Sequence, residues 1–152
     1  MNKNKVILIS IDAMRPDGFL ACKNPYAEEM LKKAYYTLDG KTVLPSVTLP
    51  CHMSLFHSVP PQRHGITTNT YVPQVRPVDG IMERLKENFL TGMFYNWEEL
   101  RDLARPGTIA CAGFFSQRHF VISCIYCCRR GEDDIFYTNF RINCKSFIHF
   151  IT

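Results

Sequence analysis

The run Val6-Ile-Leu-Ile-Ser-Ile11 constrains this chain more than any other stretch. Five aliphatic side chains interrupted only by Ser10 leave no polar face, so the run predicts a strand buried on both sides, as in a parallel sheet. Parallel neighbours are joined by long crossovers, usually helical, and the rest of the chain supplies helical patterns. Pro25 to Ala34 has Asn24 as a candidate N-cap, Pro25 at the first position, and Glu28-Glu29 ahead of Lys32-Lys33. Thr48 to Ser58 reads as a second helix, with Pro50 in its first turn and Pro60-Pro61 closing it. Gly80 to Asn88 reads as a third, and Trp97 to Leu103 as a shorter one ended by Arg105-Pro-Gly107. Thr91 to Tyr95 and Phe120 to Cys128 are predicted strands, Pro16-Asp-Gly18 a turn, and 65–79 a loop. Tyr35 to Leu38 and Lys41 to Leu44 are predicted short strands around Asp39-Gly40. Strands alternating with helices place the chain in the α/β class.

Composition narrows the function classes. With 152 residues, 46% hydrophobic and 21% charged, the chain suits one globular domain and not a disordered one. A net charge of +4 without a dense basic run gives little support for a nucleic-acid polymer as partner. The apolar stretch before Asp12 is too short for a secretion signal or a membrane span, so no membrane partner is expected and the cytoplasm is the expected compartment. Seven cysteines, an odd number, point to free thiols.

The character of the chain changes near Ala110. Residues 1–110 hold all nine prolines, whereas 111–152 contain no Leu and no Pro but five Cys, seven Phe and six Ile. Two readings stand: a genuine Cys-rich, strand-forming extension, or an out-of-frame end. The lack of agreement between pattern, turns and propensity in 111–152 favours the second. Cys124-x-x-Cys127-Cys128 resembles half of a zinc knuckle, but a second correctly spaced pair is missing.

Three positions carry chemistry. Asp12 follows the first strand, at the carboxyl edge where open α/β sheets bind ligands, and a carboxylate there can hold a cation or merely cap a turn. Thr48 stands where a helix begins, in Pro45-Ser-Val-Thr-Leu-Pro-Cys-His52. A hydroxyl at a helix start is either an N-cap or a nucleophile, the latter if a metal lowers its pKa. Asn69 follows Pro61-Gln-Arg-His-Gly-Ile-Thr-Thr, and its amide can donate to a phosphoryl oxygen.

The segments Val6–Arg15, Pro45–Leu55 and Pro61–Asn69, in that order, resemble the nucleotide pyrophosphatase/phosphodiesterase (type I phosphodiesterase) family of the alkaline phosphatase superfamily, over about residues 5–108. The resemblance implies an alkaline-phosphatase-like three-layer α/β/α fold with a mostly parallel sheet, here incomplete. It implies metal-dependent hydrolysis of phosphodiester or pyrophosphate bonds in a small phosphodiester or nucleotide, with two divalent metals, usually zinc. Asp12 matches a metal ligand, Thr48 the nucleophile and a second ligand, and Asn69 the phosphate-contacting amide. Ala13 stands where the family often has Gly. His52 and His64 match family sequence without a ligand role, His64 shaping the turn into Gly65. The sulfatase signature Cys-x-Pro-x-Arg is absent, since Cys51 is followed by His52-Met53.

The family also needs an Asp-x-x-x-His set, an Asp-His pair and a distal His after the Asn. This chain has only His119 and His149 there, and neither motif. Residues 1–110 are thus expected to be the N-terminal part of a phosphodiesterase domain that binds metal poorly, with 111–152 an atypical tail. The alternative is a non-catalytic remnant with at most weak phosphate binding.

Overall fold

In the computed structural model, residues 6–116 are described in full, together with the backbone of two later strands, 122–129 and 145–151. The aliphatic run forms β1, Val6–Asp12. It is followed by α1 (Pro16–Ala21), α2 (Pro25–Lys33), α3 (Thr48–His57), α4 (Pro61–His64) and α5 (Ile81–Leu85). Then come β2 (Phe89–Tyr95), a 3₁₀ helix over Glu98–Leu103, β3 (Cys111–Phe114), β4 (Ile122–Arg129) and β5 (Lys145–Ile151).

The strands make one sheet in the order β3-β2-β4-β1-β5. β1 pairs parallel with β5, and β2 parallel with β3, while β4 lies antiparallel between β1 and β2. Four of the five strands therefore run in one direction, but β4 makes two of the four pairings antiparallel, so the sheet is mixed where a mostly parallel one was expected. β1 is interior, with Ile9 opposite Cys124 on one side and Ile148 on the other. It is less buried than its sequence suggests: Ile7 and Ser10, which alternate to opposite faces, are buried, whereas Val6 is exposed and the rest are half-buried.

Several elements follow their local signals. Asn24 caps α2, its side-chain oxygen accepting from Tyr26 and Ala27 N–H, and Pro25 takes the first position. The Pro16-Asp-Gly18 segment is a short helix and not a turn, because Pro16 can start a helix whose first-turn Asp17 suits its positive end. No strand forms at Tyr35–Leu38 or Lys41–Leu44; residues 35–44 are irregular and mostly exposed, with no neighbouring strand to satisfy a ladder. β4 runs continuously through Cys124–Cys128, whereas a zinc knuckle needs a turn between its two cysteines. Much of the atypical tail, residues 117–121 and 130–144, lies outside the described residues.

The core explains how α3 is held. Leu49, Met53 and Phe56 recur at helical spacing and pack with Ile66, Met82, Met93, Tyr95, Leu100 and Leu103. Fully burying a side chain of this size contributes about 1.5–3 kcal/mol, so this stripe fixes α3 against β2, α5 and the 3₁₀ helix. By contrast, α1 and α2 bury no residue.

Candidate active site

The loop before α3 places Val47, not Thr48, at the N-cap, in an extended conformation. Thr48 is the first helical residue, and its hydroxyl makes no cap bond. It donates instead to Asp12 Oδ2 at 2.9 Å, across 36 residues of sequence. The strand end and the helix start thus meet, which the sheet-edge argument anticipated. Both side chains are half-buried, so the pair is fixed yet reachable.

Asn69 supplies the cap that Val47 lacks. Its Oδ1 accepts from Leu49 N–H at 3.0 Å. Because a backbone N–H can only donate, this bond fixes which end of the amide is oxygen, and the NH₂ faces elsewhere. Cys51 N–H bonds Val47 O at 3.0 Å, and Pro50 has no N–H to satisfy. The remaining first-turn donor, Thr48 N–H, has no partner among the described residues, and neither do Asp12 Oδ1 or the Asn69 NH₂. One hydroxyl, one open carboxylate oxygen and two open N–H groups therefore gather at the positive end of a ten-residue helix. This set suits a phosphoryl group, whose oxygens accept and whose phosphorus is electrophilic.

The position after Asp12 bends sharply. Ala13 has φ 58°, the left-handed region that glycine enters freely and alanine does not. Arg15, in the same matching segment, pairs with exposed Asp17 through Nε at 3.0 Å and Nη2 at 2.6 Å. That pair raises the Arg15 pKa and lowers that of Asp17.

His52 is the group that sequence reasoning left without a task. It is fully buried, with Nδ1 2.9 Å from Thr48 O and Nε2 3.2 Å from Ser10 Oγ. The signal was present in the single polar break, Ser10, of an otherwise aliphatic strand. His64 does shape the turn: its Nδ1 accepts from Ile66 N–H at 3.0 Å beside left-handed Gly65. In the neutral ring, the proton is then on Nε2, which donates to Ser54 Oγ at 3.0 Å. That orientation rules out His64 as the base of a Ser-His dyad. A groove of about 410 Å³ lined by Arg63, His64, Val72 and Arg76 contains none of Asp12, Thr48 or Asn69.

The fit to a metal is partial. Ligands of one zinc ion lie about 2.0–2.2 Å from it, and two oxygens 2.9 Å apart can share such an ion. A catalytic zinc takes three protein ligands as a rule, and the described residues contain no group of three His, Cys, Asp or Glu side chains able to hold one. Asp12 and Thr48 could thus offer two oxygens to such an ion, which among the described residues do not complete a centre.

Among the described residues no helix is long and apolar enough to cross a membrane. Neither a curated protein nor a solved structure matches the chain. A family model does: that of type I phosphodiesterase / nucleotide pyrophosphatase, over residues 6–121. The matched span contains Asp12, Thr48 and Asn69, and the α/β arrangement is consistent with an incomplete alkaline-phosphatase-like fold. With most of its length inside that match, the chain belongs to the type I phosphodiesterase / nucleotide pyrophosphatase family.

Proposed function

We propose that this chain carries the nucleophile half of a metal-dependent site that hydrolyses phosphodiester or pyrophosphate bonds in a small phosphodiester or nucleotide. The supporting observation is the 2.9 Å bond from Thr48 Oγ1 to Asp12 Oδ2 at the start of α3. Thr48 is the nucleophile: its oxygen forms the new bond to phosphorus as its proton is lost to solvent, the leaving alcohol or phosphate departs in line and is protonated by solvent, and water then cleaves the phosphothreonine to restore the hydroxyl. Asp12 orients the hydroxyl through its proton. Thr48 N–H and the Asn69 NH₂ donate to the phosphoryl oxygens, where negative charge builds. Asp12 and Thr48 would be two of the ligands that hold a divalent cation, zinc by the family resemblance. Such a cation would supply the positive charge that lets a threonine hydroxyl ionise near neutral pH. In this reading residues 1–110 are the N-terminal part of a larger domain whose remaining ligands lie C-terminal to Asn69.

The test uses the 152-residue chain and a longer in-frame parent with the remaining ligands. With zinc and an aryl phosphodiester, the short chain should turn over no faster than a blank, while phosphate shifts the amide resonances of Thr48 and Leu49. The parent should be active, and Thr48→Ala should abolish its turnover with the fold intact. An active Thr48→Ala parent would sink the nucleophile assignment. Zinc- and Thr48-dependent turnover by the short chain would sink the incomplete-site argument. Absence of any phosphate response would favour a remnant without binding.

A further inference from the structure

We infer that His52 is a positioning residue that sets the geometry of the Asp12–Thr48 pair. The pair's importance rests on the function proposed above; the bridge itself rests on geometry. Thr48 O is a carbonyl oxygen and can only accept, so His52 Nδ1, 2.9 Å away, carries the proton. In the neutral ring Nε2 is then an acceptor, and Ser10 Oγ donates to it at 3.2 Å. Ser10 and His52 are both fully buried.

The spacing turns these bonds into a clamp. Ser10 and Asp12 are two apart on β1, so they share a face of the strand and stand about 6.5–7 Å apart along it. Thr48 and His52 are four apart on α3, one turn, about 6 Å along the axis. The two separations match closely, so strand and helix are joined by two parallel rungs. Ser10–His52 is the buried rung at 3.2 Å, and Asp12–Thr48 the half-open one at 2.9 Å. The ring bond to Thr48 O ties the buried rung back to the residue that carries the reactive hydroxyl. Packing alone does not call for histidine at this place, because the neighbouring stripe on α3 is Leu49, Met53 and Phe56. An aliphatic residue could fill the volume but could make neither polar bond.

The experiment is NMR on the full 152-residue chain, labelled with ¹⁵N and ¹³C. Long-range ¹H–¹⁵N correlations should show the proton of His52 on Nδ1. Three-bond couplings to Thr48 Cγ2 should show a single dominant staggered χ1 well. Ser10→Ala removes the buried rung without touching α3, and His52→Leu removes both ring bonds. Each should drop the dominant Thr48 well to roughly half while the Met53 and Met93 methyl resonances stay in place. His52→Asn, which keeps an N–H near the Nδ1 position, should restore part of the order. A Thr48 rotamer unchanged in both Ser10→Ala and His52→Leu overturns the inference. So does the opposite tautomer, and so does loss of the fold in all three variants, which would mark His52 as purely structural. A phosphate titration of the wild type separates the two claims. Rotamer release without a phosphate response upholds the clamp and fails the proposed function; a phosphate response with an insensitive rotamer does the reverse.

Discussion

Asn69 caps α3 in this structure, and in the proposed function its amide also donates to phosphate; two substitutions separate the two roles. Its Oδ1 accepts from Leu49 N–H at 3.0 Å, and its NH₂ has no partner among the described residues. Asn69→Ala removes both groups. Among the described residues α3 then loses the only side chain that accepts from a first-turn N–H, since Val47 provides no cap. Losing a cap acceptor costs about 0.5–2 kcal/mol, most often near 1. The residue is exposed and water can reach the freed donor, so about 1 kcal/mol is the expected loss. Asn69→Asp keeps an acceptor oxygen with the same reach and puts negative charge at the positive end of the helix. It should stay within about 0.5 kcal/mol of the parent. Urea unfolding followed by circular dichroism, fitted with a shared slope, reads both values. In thermal terms the alanine variant should melt about 2–4 °C lower for a chain of this size. Neither variant retains the amide donor, so both should lose the phosphate-induced shifts at Thr48 and Leu49. An unchanged midpoint in Asn69→Ala refutes the capping argument, and a preserved phosphate response in Asn69→Asp refutes the amide contact.

Three further outcomes follow from local geometry. Ala13→Gly relieves a left-handed backbone at φ 58°; the strain is about 1–2 kcal/mol and the added freedom of the unfolded chain offsets about 0.4–1 of it. The urea midpoint should rise, and a fall would show that the strain is not there. Gly80→Ala would put a Cβ 2.9 Å from Glu83 Oε2 and 3.0 Å from His57 Cδ2. Glu83 is held by bonds from Gly80 N–H at 2.8 Å and Arg105 N–H at 2.9 Å and cannot step aside freely, so a loss of about 1–3 kcal/mol is expected. A wild-type melting curve would contradict it. Burial lowers the pKa of both His57 and His64 below the ordinary histidine value. The unfolded chain therefore takes up protons first as pH falls, and stability present above about pH 6.5 declines below it until the lowered native values are passed. Urea midpoints at pH 7.5, 6.5 and 5.5 should drop in that order, less so in His57→Gln; a flat series would count against burial as the cause.

The site was more legible in the sequence than the sheet around it. Asp12, Thr48 and Asn69 lie in local motifs, and the folded chain brings Asp12 and Asn69 to the two ends of the Thr48–Leu49 step. The α2 cap was equally plain, because Asn24-Pro25 is a start signal needing no distant partner. What the sequence hid depends on contacts far along the chain. Lys41–Leu44 has strand-like residues but no neighbour to pair with, so it stays irregular. Cys111–Phe114 is too short and too mixed to announce a strand, yet β2 captures it in parallel. Trp97–Leu103 has a helical pattern but forms a 3₁₀ helix from Glu98, its core-facing Leu100 and Leu103 three apart and suiting the tighter winding. His52 was ambiguous for the same reason: its meaning depends on Ser10, 42 residues away.

The position of β1 has a consequence for how the protein comes into being. This strand is made well before its ladder partners, residues 122–127 and 145–151. At roughly 5–20 residues per second, synthesis leaves the aliphatic run without either neighbour for on the order of ten seconds. Pairings that span so much sequence also close slowly once the partners exist. Helix α3 and its core stripe can assemble from residues before 105, so Thr48 is in place early while the strand bearing Asp12 still waits. The nascent chain therefore carries an unpaired, aggregation-prone edge until residues 122–127 have emerged, and the Asp12 and Thr48 oxygens are held together in the sheet only after that.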